Sequence, residues 1–347
     1  MKILLWILGI VAILGVVYML GPKPEAAVVT PTIDMSSLPN ELEALEKEIQ
    51  EREASIPNIK PDNEARIVWA DSFAYKKSPY SLVYLHGFSA SQGEGEPIHR
   101  EFAKRYGFNM YLARLHEHGL DQEEAMLDLT AEGLVETAKE AVAIGEQIGE
   151  KVILMSTSTG GTLSLYIASE NPNVAGQILY SPNIQIFDPT AQLLNKPWGL
   201  QIARAVIGGN YNSYEVESPE GAQYWTPKYR LESLVQLQNL LDATMKKETF
   251  EKITSATYLA YYYKDEEHQD NTVSVAAMLD MFDQLGTPEE LKRKEALTEV
   301  NEHALASVYT SEDIESVIKG TFAFAEEVMG LTPVAADSTD VEIDSAE

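Results

Sequence analysis

From about residue 59 onward the chain alternates short apolar runs with amphipathic stretches, and this pattern restricts the fold more than any other feature. The runs ARIVWAD, SLVYLHGF, FNMYLARL, KVILMS, GQILYS, TYLAYYY and EALTEV read as strands. Helical stretches are predicted between them at 96–106, 130–148, 159–170, 272–285 and 311–329. Such a succession predicts an α/β fold with a mostly parallel sheet covered by helices on both faces. In sheets of this kind, reactive groups gather in the loops at the carboxyl ends of the strands.

The alternation breaks between residues 183 and 252. Two amphipathic helices, AQLLNKPWGLQIARAVIGG and ESLVQLQNLLDATM, flank the aromatic, irregular segment NYNSYEVESPEGAQYWTPKYR. An excursion of this length between two strands is expected to form a lid or cap. Ahead of the main domain (59–330), residues 1–21 contain an apolar run from Ile3 to Gly21, about long enough to span a bilayer. Tyr18, Met19 and Leu20 make a poor cleavage site, which favours an uncleaved anchor over a removed signal; the Ala26-Ala27 pair keeps cleavage open. Lys2 and Lys23 flank the run evenly, so orientation is weakly specified. The free amino terminus tips the expectation toward a main body outside the cytoplasm, or a secreted protein if the segment is removed.

Residues 22–58 read as a proline-marked linker ending in a short charged helix over 40–55. Leu42, Leu45 and Ile49 give that helix little to bury, so a spacer is expected rather than a docking element. The acidic stretch 331–347 lacks periodicity and is expected to be disordered.

Charge excludes one class of partner. The 347 residues carry 54 acidic and 26 basic side chains, a formal charge of −28, which repels a phosphate backbone. Nucleic acid is therefore not an expected partner. The absence of cysteine removes disulfides, thiolate metal sites and cysteine nucleophiles together.

Chemistry concentrates in STSTGG (156–161), which joins the run KVILM to a helical stretch. A strand, a sharp turn and a helix around a serine describe a nucleophile elbow, usually written G-x-S-x-G. Here Ser156 occupies the first glycine position and Gly160 the second. A small side chain is tolerable there, and Ser158, at the turn, is the candidate nucleophile. A plain polar turn is the competing reading of this stretch alone. A serine nucleophile needs a base, and only His268 and His303 follow it. His303, in NEHALAS after the last strand, can reach over the sheet's carboxyl edge. The acid is sought after TYLAYYY, where Asp265, Glu266, Glu267 and Asp270 are available. Asp270, just before the helix near Thr272, is preferred and Asp265 held in reserve; capping that helix is the structural alternative. Two amides must face the developing oxyanion. Thr159 supplies one, and Phe88, after the turn His86-Gly87, supplies the other. His86 itself reads as a loop brace. The pair His116-x-His118 lacks a third ligand at a suitable spacing, so no metal and no cofactor is expected.

Residues 59–330 resemble the α/β-hydrolase superfamily, most of all its carboxylesterase and monoacylglycerol-lipase-like members. The resemblance rests on LHGF (85–88), ARLHEHG (113–119), STSTGG, ILYSPN (178–183), DEEHQDNTVS (265–274) and NEHALAS (301–307) in that order. It implies a helical cap inserted after YSPN and a Ser158–Asp270–His303 triad with the Phe88 and Thr159 amides as oxyanion hole. It further implies hydrolysis of a small-molecule carboxylic ester. The apolar, aromatic cap points to a hydrophobic acyl chain. The chain departs from the pattern in Ser156 and in lacking a proline in the strand before the acid. Cleavage of another bond type on the same scaffold, or an inactive anchored binding protein, are the rival readings.

Overall fold

The computed structural model describes residues 2–34, 38–216 and 218–334, with side chains from residue 4 onward. The acidic tail expected to be disordered lies outside the described residues from position 335. Seven strands form the main sheet: β1 (Arg66–Val68), β2 (Ser81–Leu85), β3 (Asn109–Leu112), β4 (Val152–Thr157), β5 (Val174–Tyr180), β8 (Ala256–Tyr262) and β9 (Lys292–Leu297). Their spatial order is β1-β3-β2-β4-β5-β8-β9, parallel throughout except for the antiparallel edge strand β1. Helices α3 (Ile98–Tyr106), α4 (Ala131–Ile148), α5 (Thr159–Ala168), α10 (Val275–Gln284) and α11 (Ile314–Glu327) connect or follow them, as the periodicity predicts.

The central strands are apolar without alternation because both their faces are covered. Every residue of β2, β4 and β8 is buried. The pleat sorts their side chains into two cores. Val83, Leu85 and Leu154 pack with α4 residues such as Leu134 and Val142 on one face. Leu82, Tyr84, Ile153 and Met155 pack with Phe102 of α3 and Phe324 of α11 on the other. Local chemistry ends the helices where the sequence turns. Thr130 caps α4 by accepting from the Gly133 amide at 3.0 Å, and Gly107 ends α3 in the left-handed region at φ 66°.

Helix α2 (Leu42–Ser55) is not a spacer. Leu45 and Ile49 are fully buried in the first core, and Glu53, also buried, accepts from Arg114 Nε at 2.7 Å and from the Ala65 amide at 3.0 Å. Three apolar residues suffice because the polar one beside them finds a cation and an amide on the domain. The segment before it is likewise laid on the body. The Glu25 carbonyl accepts from Asn239, the Val28 amide donates to Glu132, and the Val29 carbonyl accepts from Tyr166.

Between β5 and β8 the chain forms α6 (Gly199–Ile207), the two-stranded ribbon β6 (Tyr211–Ser213) and β7 (Lys228–Arg230), and α7 (Pro219–Ala222). Helices α8 (Leu231–Thr244) and α9 (Lys247–Phe250) complete the excursion. Leu240 of α8 joins the same core as α4 and α5. Helix α1 (Lys2–Met19) is apolar, and from Leu4 to Leu20 its large side chains are exposed. Among the described residues, no helix is long and apolar enough to cross a membrane, so the expected anchor is not shown by the structure. At its end, Trp198 donates its indole N–H to the Val17 carbonyl at 3.0 Å and its amide to the Pro22 carbonyl at 2.8 Å.

Candidate active site

Parallel register sets the carboxyl ends of the strands side by side. Leu85 lies opposite Ser156, Thr157 opposite Tyr180, and Tyr180 opposite Ala260. The chain after each strand therefore emerges at one edge, where Phe88, Ser158, Thr159, Asp270 and His303 are found.

Ser158 stands between β4 and α5 with φ 53° and ψ −117°. A non-glycine residue at positive φ costs about 1–3 kcal/mol and persists only where its surroundings impose it. Here they do. The Ser158 amide donates to the Tyr180 carbonyl at 3.0 Å, and its own carbonyl accepts from the Asn183 amide at 2.9 Å. The turn closes against the strand beside it: a Cβ at Gly160 would overlap the Leu85 carbonyl. Ser156 is buried within β4, with its hydroxyl on the Ile178 carbonyl at 3.5 Å.

Asp270 and His303, thirty-three positions apart, meet with Oδ2 and Nδ1 separated by 2.6 Å. The other carboxylate oxygen accepts the Thr272 and Val273 amides at 2.9 and 3.0 Å. Asp270 does not cap α10; Ser274 does. Burial opposes the charge on Asp270, yet His303 and the two amides outweigh it and hold the carboxyl below its ordinary value. The imidazole of His303 is pushed down by burial but raised further by Asp270, with Glu94 and Glu302 adding to the rise. Its net shift is above the ordinary 6.5. The reserve acid, Asp265, is exposed and pairs with His268 at 2.8 Å, so it belongs to a surface turn.

The turn His86-Gly87-Phe88 faces the elbow. A Cβ on Gly87 would lie 3.2 Å from Ser158 Cβ. His86 braces the turn: its Nε2 accepts the Leu115 amide at 3.1 Å, which leaves Nδ1–H to donate to the Gly87 carbonyl at 2.9 Å. Burial lowers its pKa to about 4, so it is a neutral strut. His118 packs against the rings of His86 and Phe88 and donates from Nδ1 to the His116 carbonyl at 2.7 Å. Phe88 also meets Tyr229 edge-on. Ser89 anchors the excursion above: its hydroxyl bonds Tyr214 at 2.8 Å and its carbonyl accepts the Thr226 amide at 2.7 Å.

One residue here escapes sequence reasoning. Glu94, buried, accepts the Gly87 amide at 2.6 Å and the Tyr84 hydroxyl at 3.3 Å. Burial pushes its carboxyl up to about 7, against the pull of the Gly87 amide, His303 and Tyr84. The only signal for it was an acid set between two glycines, QGEG, shortly after LHGF. A groove of about 570 Å³ at the opposite edge of the sheet, bordered by Lys151, Glu170 and Lys252, is remote from all these groups.

No family model matches the chain. It is 25% identical over 201 residues to a thermostable monoacylglycerol lipase of Bacillus sp. (strain H-257), across 57% of this chain and 75% of that one. Among solved structures, a metagenome-derived lipolytic enzyme of the LipS and LipT pair superposes with a TM-score of 0.56 at 16% identity, covering 77% of this chain and 98% of its own. The monoacylglycerol lipase of Paleococcus ferrophilus gives a TM-score of 0.52 at 14% identity, with 75% and 98% covered. The chain has the α/β-hydrolase fold, and the proteins it is similar to are lipases and esterases.

Proposed function

We propose that this α/β-hydrolase is a serine hydrolase of carboxylic esters that works through an acyl-enzyme on Ser158. The observation that carries this reading is the Asp270–His303 pair at the sheet edge where Ser158 occupies its strained turn. With Nδ1–H donated to Asp270, the imidazole keeps Nε2 free to take the Ser158 proton. The hydroxyl oxygen attacks the ester carbonyl, and the tetrahedral oxyanion accepts from the amides of Phe88 and Thr159. His303 returns the proton to the leaving alcohol. Water, deprotonated by the same imidazole, then releases the acid. The lipases and esterases it resembles support ester hydrolysis in general.

The acyl group is hydrophobic in this reading. Phe88, Tyr229 and Tyr214 form a contiguous aromatic wall beside the oxyanion turn. Association with a membrane through residues 1–21, with the main body outside the cytoplasm, is part of the same proposal. Its support is the run of exposed apolar side chains on α1.

The test is covalent capture by a fluorophosphonate probe. Wild type is expected to be labelled and Ser158→Ala is not; labelling that survives the substitution assigns the nucleophile elsewhere. A panel of esters then reads the acyl preference, medium chains being cleaved faster than acetyl.

A further inference from the structure

We infer that Glu94 is a positioning residue for this hydrolysis, holding both sides of the oxyanion hole and, when ionised, adding a second negative charge to the field on His303. The inference rests on the triad reading above, and it extends that reading to a carboxyl outside the triad.

The geometry begins with a chain of hydrogen bonds. Glu94 Oε2 accepts the Gly87 amide at 2.6 Å, so the residue directly before Phe88 is fixed by it. The same oxygen accepts the Tyr84 hydroxyl, which in turn accepts from the Thr157 hydroxyl at 3.1 Å. Thr157 directly precedes Ser158. One carboxyl thus ties the turn carrying the Phe88 amide to the turn carrying Ser158 and the Thr159 amide. With the Gly87 N–H taken, the Phe88 N–H is the next one along the turn; among the described residues it has no protein acceptor.

The sequence builds Glu94 in tightly. It lies in a single 3-10 turn, Gln92–Gly95. A Cβ on Gly93 would overlap the Tyr224 ring, and one on Gly95 would overlap His99 and Tyr84. His99 donates from Nε2 to the Gln92 carbonyl at 2.9 Å and pins the turn to α3. A purely structural acceptor for one amide would be met by a glutamine or a serine. A buried ionisable group is a costlier choice, and it sits within electrostatic reach of the catalytic imidazole.

Electrostatics agree with the placement. The groups acting on Glu94 are the Tyr84 hydroxyl from β2, the Gly87 amide and His303; Tyr214 from the excursion feels its charge. His303 is acted on by Asp270, Glu94 and Glu302, all raising its pKa against burial. Glu94 is ionised mainly above about 7, so removing its charge makes the imidazole easier to deprotonate there, and the acid limb of kcat/KM moves to lower pH.

Three variants separate charge from hydrogen bond, each checked for folding by thermal melting. In Glu94→Gln, an acceptor for Gly87 remains and the charge goes. The acid limb is expected to move down by about 0.3–0.5 pH unit, because the wild-type carboxyl is itself partly protonated near pH 7, with fluorophosphonate labelling retained. In Glu94→Asp, the charge stays but the shorter side chain no longer reaches Gly87. The limb is expected near the wild-type position, with kcat reduced by about 10-fold and KM little changed. Glu94→Ala combines both effects, and a kcat loss of about 10–100-fold is expected. A Glu94→Gln limb that superimposes on wild type, an aspartate limb that moves as far as the glutamine one, or an alanine variant with wild-type kcat overturns the inference. An unlabelled wild type overturns the triad reading itself, which keeps the two failures apart.

Discussion

Asp270 divides its carboxylate between two tasks: one oxygen meets His303 Nδ1 at 2.6 Å while the other holds two backbone amides at the start of the next loop. The ring is thus oriented by a group that is itself fixed from behind. Asp270→Asn keeps the shape and loses the acceptor that selects the tautomer. A kcat loss of about 10⁴-fold is expected, with the melting temperature within a few degrees of wild type. Asp265→Asn, on its surface turn, should stay within about 2-fold in kcat, the size of change expected away from the reacting groups. Steady-state kinetics on the two variants decide which carboxylate serves the histidine.

The pH profile follows from the same pair. His303 must be neutral to accept a proton, and its pKa lies above the ordinary 6.5. Activity is present above that raised value and is lost as pH falls through it. The acid limb of kcat/KM is therefore expected to have its midpoint above 6.5. A midpoint below 6 would mean that the base is not a carboxylate-paired imidazole of this kind.

Gly160 has no room for a methyl group, because the Leu85 carbonyl occupies that place. Gly160→Ala should destabilise the fold by about 1–3 kcal/mol, and it should disturb the elbow. Ser156→Gly restores the usual glycine at a buried position and should keep turnover within about 3-fold, since no reacting group changes. Denaturant melts and kcat of the two variants check the contrast.

Helix α2 yields a prediction about stability alone. Leu45→Ala or Ile49→Ala empties a fully buried site and should cost about 2–5 kcal/mol, read from denaturant midpoints. Glu53→Ala should cost a similar amount, because Arg114 would be left buried without its partner. A true spacer would tolerate all three.

The strands and main helices were legible because continuous apolar runs and a 3.6-residue period survive in the sequence without tertiary help. Ser158, Asp270 and His303 were legible as candidates because each follows a strand, and a parallel sheet sends all such loops to one edge. Two features were not. The burial of α2 depends on Glu53 meeting Arg114, a contact sixty-one positions away that no local pattern announces. Glu94 looked like one acid among many in an acidic chain. Its meaning comes from Tyr84 and Gly87, which lie near it only after β2 and the QGEG turn have packed. Sequence periodicity reports which face is apolar; it does not report which polar group a buried polar group will find.

The hydrogen bonds of Trp198 to Val17 and Pro22, with the contacts made by Glu25, Val28 and Val29, leave little slack between α1 and the body. A loose leash would let the enzyme tumble at the end of its first helix. This segment is a bracket instead. If α1 engages a surface, as proposed above, the body meets it beside Trp198 at the start of α6 rather than at the end of a free tether.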